Sequence, residues 1–520
     1  MKLNYKRTVF VGFAFFLICL FWQAYDTIIP KILTDKFGMS QTWSGFIMAL
    51  DNILALFLLP LFGNLSDKCK SAKGRRTPFI KVGTILAVVL IVVLTFADAA
   101  QLKRIASVGP EEPDAQAILY DANLTIKKPN GQTVVVQDTF TKEEFTGIRM
   151  TLTSGATNPD YTDYVVPARQ AYAAQKTAEN PGALYFFIGV LLLLLISMAV
   201  FRSPAVALMP DVTVKPLRSK ANAVINLMGA LGGILILVLG IVMGTGKAVN
   251  ALMPYRNYLL ICAAIMALAL LLFLWRVKEP QFVQEMQADS EAYGIDTAVE
   301  EDYEELIREA DEKAIAAGKA PVEAGRLTKE QKKSLYLILA SVMLWYFGYN
   351  AITSKYSVYA SSVLDLDYAM TLTIASAAAI VAYLPAGMIA SKIGRRKTIM
   401  AGVVLLAAAF AAAALMRAGS SPVLMNVLFV LAGIGWATIN VNSYPMVVEL
   451  ARGDQVGKYT GFYYTASMAA QTLTPIFSGY LMDRLGMRVL FPYGSVCVAL
   501  ALVTMFFVKH GDSRPDAEAK

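Results

Sequence analysis

Asp26 and Asp51 each lie inside an otherwise apolar stretch. A carboxylate at membrane depth costs roughly 2.5–3.5 kcal/mol on insertion scales, so it marks a candidate functional group. Such a group can take up a proton or hold a cation. It can also be one side of a structural ion pair, for which Lys355 is an available partner of Asp26. Rings and amides stand nearby at helical spacing. Trp22, Tyr25 and Asp26 share a face at i, i+3, i+4, as do Tyr346, Tyr349 and Asn350. Trp436, Asn440 and Ser443 share another, Asn222 and Asn226 mark a third, and Tyr463, Tyr464 and Gln471 a fourth. Rings offer stacking surfaces, while amides and carboxylates bond hydroxyls. A mostly apolar pocket with a few such groups suits a saccharide. The competing reading is structural: Trp and Tyr belong at membrane interfaces, and amides bond helices together. Trp43 and Trp275 fit only that second reading.

These groups need helices at lipid depth to position them. The chain has 520 residues, 56% hydrophobic and 17% charged, whereas soluble domains are about 45–50% apolar and about 25% charged. The apolar residues form long blocks, such as Val9–Ile29, Leu184–Val200 and Val496–Val508, rather than one stripe. Blocks of about 20 apolar residues read as membrane spans. Twelve are predicted, at 8–33, 42–63, 79–97, 183–202, 221–243, 257–275, 334–354, 370–390, 398–416, 422–445, 460–482 and 490–508. The fold class is therefore an all-α membrane protein. At 1.5 Å per residue, Asp26 lies about 12 Å and Asp51 about 15 Å from the same end of two antiparallel neighbours.

Lys68, Lys70, Lys73, Arg75, Arg76 and Lys81 follow span 2, Lys215, Arg218 and Lys220 follow span 4, and Lys392, Arg395, Arg396 and Lys397 follow span 8. The positive-inside rule makes these loops and both termini cytoplasmic, in a multi-pass protein of the cell (plasma or inner) membrane. It also accounts for the net charge of +8 without nucleic acid. The predicted organisation is helices 1–3 in 1–97, an external polar insert at 98–182, and helices 4–6 in 183–275. A cytoplasmic linker at 276–333, helices 7–12 in 334–510 and a tail at 511–520 complete it. The first span follows Lys2, Lys6 and Arg7 and is too long for a signal h-region, so it reads as a retained helix.

The insert contains no cysteine, so no disulfide framework is expected there. Alternation over Ile118–Val136 around Pro129-Asn130-Gly131 suggests a hairpin. A small folded element and a disordered loop both remain open for the insert. In the linker, Glu300–Lys313 is acidic and helix-prone.

The two halves echo each other. Leu59-Pro60-Leu61-Phe62-Gly63 returns as Leu384-Pro385-Ala386-Gly387, and Gly74-Arg75-Arg76 as Gly394-Arg395-Arg396. Pro204, Asp211 and Lys220 return as Pro445, Glu449 and Lys458. The later echo is closer by about the length of the insert, which places the insert in the first half. Internal repeats with a site between them at the bilayer midplane are a feature of secondary transporters.

The strongest local motif is Gly63-Asn64-Leu65-Ser66-Asp67-Lys68 followed by Gly74-Arg75-Arg76-Thr77-Pro78-Phe79-Ile80. Asp67 ends one helix and the arginines begin the next, so they can pair with one another and with helix ends. Such a cluster can latch one conformation and break in another, with Arg395 and Arg396 as its counterpart lacking the acid; a plain topology anchor is the alternative. The motif resembles the loop signature of the major facilitator superfamily. With Pro60-Leu61-Phe62-Gly63, Ser66-Asp67-Lys68-Cys69 and Pro204-Ala205-Val206-Ala207-Leu208 it is similar to the glycoside–pentoside–hexuronide:cation symporters, sucrose–proton symporters included. The resemblance implies two six-helix bundles and cation-coupled sugar transport. It departs at the coupling sites. Where melibiose-type members carry paired helix-2 carboxylates this chain has Ala55 and Leu59, and where plant sucrose symporters carry a helix-4 acid it has Leu195. Neither site carries over.

The expected function is import of a small saccharide, a disaccharide or related glycoside, coupled to a proton or possibly sodium. Ion coupling falls to Asp51 and Asp26. Substrate contact falls to Trp22, Tyr25, Asp26, Asn222, Asn226, Tyr346, Tyr349, Asn350, Trp436, Asn440, Tyr464 and Gln471. The latch falls to Asp67, Arg75, Arg76, Arg395 and Arg396. No metal, cofactor, catalytic or nucleic-acid signal occurs, and a monomer in the lipid bilayer is expected rather than an enzyme. A lipid or lysolipid transporter and a non-transporting sugar sensor remain the alternatives.

Overall fold

The computed structural model describes residues 3–153, 157–214, 217–292, 329–448, 450 and 456–511. Twelve long helices carry it. The first six are α1 (Tyr5–Lys31), α2 (Gln41–Asp67), α3 (Thr77–Ile105), α4 (Gly182–Asp211), α5 (Arg218–Met243) and α6 (Arg256–Arg276). The second six are α7 (Lys329–Tyr359), α8 (Tyr368–Ile393), α9 (Arg395–Ala413), α10 (Pro422–Val448), α11 (Val456–Leu485) and α12 (Leu490–Phe506). Among the described residues, ten helices are long and apolar enough to cross a membrane by length and composition. Internal prolines stand in α1, α4, α8, α10 and α11. A proline removes one helical hydrogen bond and is tolerated where neighbouring helices shield the gap.

Local chemistry sets the ends. The side chains of Asn4, Ser40 and Asp367 accept the backbone N–H groups of Arg7, Trp43 and Ala369, which caps α1, α2 and α8. Both α1 and α7 run on into a π-helical turn, at Ile32–Lys36 and Ala360–Leu364.

The packing is pseudo-symmetric. In the first half α1 packs on α5 and α6, α3 on α4 and α6, and α2 on α4. In the second half α7 packs on α11 and α12, α9 on α10 and α12, and α8 on α10. Each pair in one bundle has its counterpart six helices later. The halves then meet through α2 on α11, α5 on α8 and α1 on α7. Each bundle buries its own apolar core.

Two helices, α3 and α4, outrun their predicted limits furthest. α3 continues past 97 to Ile105, and there Asp98 and the Gln101 amide N–H group are buried with partners inside the protein. Asp98 accepts Lys36 Nζ at 2.5 Å and Tyr255 N at 3.1 Å, and Gln101 donates to the Lys36 carbonyl at 2.8 Å. α4 continues past 202 to Asp211 because Arg202 faces the interior and not lipid.

The segment between α3 and α4 is folded around a third apolar cluster that includes Leu119, Ile126, Phe145, Tyr161 and Val165. Its hairpin pairs β1 (Thr125–Lys127) with β2 (Thr133–Val135), in the register Thr125↔Val135. The turn is the Pro129-Asn130-Gly131 one, but the alternation before it is partly helical, at Ala115–Asp121. This insert touches both halves. Gln170 Nε2 donates to Asp35 on the first at 2.9 Å. On the second, Arg488 N donates to the Pro129 carbonyl at 3.2 Å, Arg488 pairs with Asp163 at 3.3 Å, and Thr157 donates to Asp365 at 2.8 Å. A helix at Glu279–Ala292 follows α6, and the Glu300–Lys313 run lies outside the described residues.

Gly131 has φ +93°, and a Cβ there would meet the Leu485 carbonyl oxygen at 2.8 Å. Gly131→Val therefore strains the backbone and pushes the hairpin off the second half, at a cost of about 1–3 kcal/mol. Hydrogen exchange across 125–135 should rise at least several-fold while exchange in α7 and α12 stays as in the parent. Unchanged hairpin protection would show that this contact does not hold the insert.

Candidate functional site

Two adjoining cavities open in the middle of the molecule, where the bundles face each other. The first, of about 230 Å³, is polar. It draws Trp22 and Asp26 from α1, Asp51 and Asn52 from α2, Arg202 from α4, Asn350 from α7 and Gln471 from α11. The second, of about 260 Å³, is mostly apolar and is lined by Cys19, Gly229, Tyr349, Tyr383, Phe429 and Trp436 among others. Thr353 belongs to both walls. Together they reach the range of small-molecule pockets, about 300–1,000 Å³.

In the polar chamber, Asn52 Nδ2 donates to Asp51 Oδ1 at 2.9 Å. The Arg202 guanidinium sits 5.3 Å from the Trp22 ring centre, a cation–π contact. Trp22 also stands edge-on to Tyr25 at 5.4 Å. Trp22 Nε1 and Asn350 Nδ2 are buried donors with no protein partner. Buried polar groups are normally satisfied, so two orphan donors lining one cavity suit an oxygen-rich guest. In the apolar chamber, Tyr349 and Trp436 stack with centroids 3.7 Å apart and planes 3° off parallel. Tyr346 meets the same indole edge-on at 5.2 Å.

The chain thus brings Trp22, Asp26, Asp51, Asn350 and Gln471 together in one chamber and Tyr349 and Trp436 in the next. Other expected residues line neither. Tyr25 is buried and its hydroxyl donates to the Ile47 carbonyl at 3.3 Å. Tyr346 bonds Tyr463, whose hydroxyl lies 2.9 Å from Ser443 Oγ, while Ser443 Oγ donates to the Asn440 carbonyl at 3.3 Å. Tyr464 packs its ring on Tyr444 and Tyr463 and is half exposed. Asn226 is exposed on α5, and the side chain of Asn222 lies outside the described residues. Lys355 turns from Asp26 toward the Gln41 carbonyl, 2.8 Å away.

Arg202 is the site residue that sequence reasoning missed. Its signal was a lone arginine in an apolar run, which reads equally well as the end of a span. Asn52 was missed too, as a single amide beside an acid.

The loop motif forms a second constellation, remote from the cavities. Arg76 pairs with Asp67 at 2.5 Å and with Asp211 at 2.8 Å, and it donates to Ser66 Oγ. Arg75 pairs with Asp211 at 2.7 Å; that hydrogen-bonded pairing raises the guanidinium pKa further above its ordinary value. Glu279, another residue the motif did not announce, accepts the backbone N–H groups of Arg75, Arg76 and Thr77 and so caps α3. Arg395 and Arg396 do not join this cluster. Arg396 donates to the Met505 and Phe506 carbonyls at 3.2 and 2.5 Å, at the end of α12, and Arg395 precedes it at the start of α9.

A model of the Major Facilitator Superfamily matches residues 172–382 and 367–520. The chain belongs to the Major Facilitator Superfamily. The family is one of membrane transporters, not enzymes. A second model, described as MFS/sugar transport protein, matches residues 10–102. The sucrose transport protein SUC3 of Arabidopsis thaliana is 37% identical over 70 residues, which is 14% of this chain and 11% of that relative. Among solved structures, the inward-open xylose transporter XylE from E. coli superposes with a TM-score of 0.59 at 13% identity, over 99% of this chain and 98% of that one. The nucleoside transporter NupG superposes with a TM-score of 0.54 at 15% identity, over 97% and 100%. At such identities the likeness is one of fold.

Arg202 is the cation that faces Asp51 in the polar chamber. Arg202→Leu leaves the chamber's carboxylates without it. Removing one partner of a buried charge is strongly destabilising, so the variant should lose on the order of 3 kcal/mol. Melting curves of purified parent and variant check this; an unchanged melting temperature would contradict it.

Proposed function

We propose that the protein is a secondary transporter that carries a small saccharide or related glycoside through the central cleft by alternating access, with a proton as the coupling ion. The observation that supports this best is one cleft shared by two pseudo-symmetric bundles, holding two carboxylates, an arginine, two orphan donors and a stacked aromatic pair. The stacked Tyr349–Trp436 pair offers a flat apolar surface for the face of a sugar ring. Trp22 Nε1 and Asn350 Nδ2 donate to its hydroxyl oxygens, and Asp26 accepts from its hydroxyl hydrogens. Asp51, tied to Asn52 and facing Arg202, is the proton carrier. A neutral acid crosses the closed state of the cleft at lower cost than a charged one.

The conformation gives this a direction. At the insert end α2 and α11 touch closely: a Cβ on Gly45 would lie 1.9 Å from the Pro475 carbonyl oxygen. Toward the basic-loop end, Leu61 and Leu65 on α2 and Met388 on α8 are exposed. With the basic loops and both termini in the cytoplasm of a cell-membrane protein, this is an inward-facing state. The Asp67–Arg76 cluster is the inner latch. It is assembled within the first half here, and it stabilises the outward-facing state when the bundles close over it. A single chain contains the whole cleft, which fits a monomer.

Asp51→Asn should abolish uphill uptake in proteoliposomes, by at least tenfold, and leave counterflow exchange within about twofold. Concentrative uptake equal to the parent would discard Asp51 as the carrier. A thermal-shift screen against mono- and disaccharides identifies the cargo, and no stabilisation by any of them would argue against a sugar. Asp67→Ala weakens the inner latch and should shift the population further toward inward-facing. Equal cysteine accessibility from the two sides in variant and parent would contradict that.

A further inference from the structure

The internal repeat sets one lysine in each half at the same place. α1 carries Trp22, Tyr25, Asp26 and Lys31, and α7 carries Tyr346, Tyr349, Asn350 and Lys355 at identical spacing. Both lysines are 0% exposed. Each reaches across to the opposite bundle at the insert end. Lys31 Nζ donates to Ser361 Oγ at 2.7 Å, 3.6 Å from Asp35, and lies 5.8 Å from the Tyr368 ring. Lys355 Nζ donates to the Gln41 carbonyl at 2.8 Å. The same turn of α2 is held by Asp483 of α11, which accepts Gln41 N at 2.9 Å, Thr42 N at 2.6 Å and the Thr42 hydroxyl. Asp483 is also the carboxylate whose charge acts on Lys355.

Two opposing terms meet in each lysine. Burial takes an ammonium out of water, which favours opening. The acceptors and carboxylates around it favour closure, and two of these groups, Ser361 and the Gln41 carbonyl, belong to the opposite half. Removing only a partner of a buried charge is strongly destabilising, whereas replacing the charge by an apolar residue of similar volume is often neutral or stabilising.

We propose that Lys31 and Lys355 are a symmetric pair of release elements. They keep closure of the insert end conditional on their partners, so that this end reopens instead of locking. Lysine removal and partner removal therefore act with opposite sign. A plain bolt would behave differently, because losing either side of it would open the gate.

The proposal rests on alternating access but not on the cargo, so its test reads a distance and not transport. Spin labels are placed at Asn257→Cys and Ser421→Cys, exposed positions at the insert ends of α6 and α10. The full chain is used in lipid nanodiscs, with Cys19, Cys69, Cys262 and Cys497 replaced, and the ratio of long to short distances is measured without ligand. Asp483→Asn and Ser361→Ala should each raise that ratio tenfold or more. Lys355→Met and Lys31→Met should lower it or leave the short distance alone. Ser361→Ala tests the first arm even where Asp483→Asn, which also uncaps α2, fails to fold. Lysine variants that raise the ratio, or partner variants that leave it unchanged, overturn the proposal. One distance in the parent that no variant moves would defeat alternating access as well, whereas two populations insensitive to all four changes would defeat the release elements alone.

Discussion

A charge at lipid depth must face a partner or water, and that constraint arranges most of this molecule. Lys36 and Asp98 are both fully buried and answer each other at 2.5 Å, which lets α1 and α3 pass through the same layer. Lys31 and Lys355 answer the opposite bundle. Asp26, Asp51 and Arg202 face a cavity between the bundles. The first group fixes helices within a bundle, the second makes closure of one end depend on partners from the opposite bundle, and the third lines the cavity. The three roles follow from where each charge finds its compensation.

The same repeat carries unequal chemistry in its two copies, and the inequality is informative. The position of Asp26 on α1 is occupied by Asn350 on α7, and that of Trp22 by Tyr346. The ionisable groups of the cleft thus come from the first half, while the stacked pair Tyr349 and Trp436 comes from the second. A guest in the cleft touches the charge-bearing wall and the stacking wall at once. Movement of one wall against the other is then felt both by the ring face and by the carboxylates, which is the physical requirement for coupling ion and cargo.

The helices and the repeat were legible in the sequence because each depends on local pattern: long apolar blocks, Pro60-Leu61-Phe62-Gly63 echoed by Pro385-Ala386-Gly387, and two copies of Gly-Arg-Arg. The hairpin turn was legible because Pro129-Asn130-Gly131 is strong turn chemistry. Helix limits failed where a polar residue has a distant partner. Asp98 and Arg202 look like span ends when lipid is assumed on every side, and only the packed structure supplies Lys36 for one and a wet chamber for the other. Glu279 capping α3 was invisible for the same reason, since its partners lie far away in the chain. Among the described residues, Tyr25, Asn226, Tyr346, Asn440 and Tyr464 do not line the cavities. Helical spacing identifies a shared face but not what that face meets, so Tyr25 and Asn440 had the right spacing and the wrong neighbours. The matched lysines were written in the sequence throughout, and they acquire meaning only once each is seen to reach the other half.

The insert poses a mechanical problem that its contacts resolve. It emerges from the first half yet leans on the second through Arg488, Asp163, Thr157 and Asp365. Opening the insert end requires α2 to leave α11, where Gly45 and Gly479 allow the two backbones to touch closely. The insert's links to the second half described above are one ion pair, one backbone hydrogen bond and one hydroxyl–carboxylate bond, each worth about 0–1.5 kcal/mol. They are too weak to hold the bundles against a rotation that the α2–α11 seam permits. They are strong enough to orient the insert over a seam that is already shut. On the proposed alternating access, the insert would follow the opening of that seam, and the buried charges beneath would set it.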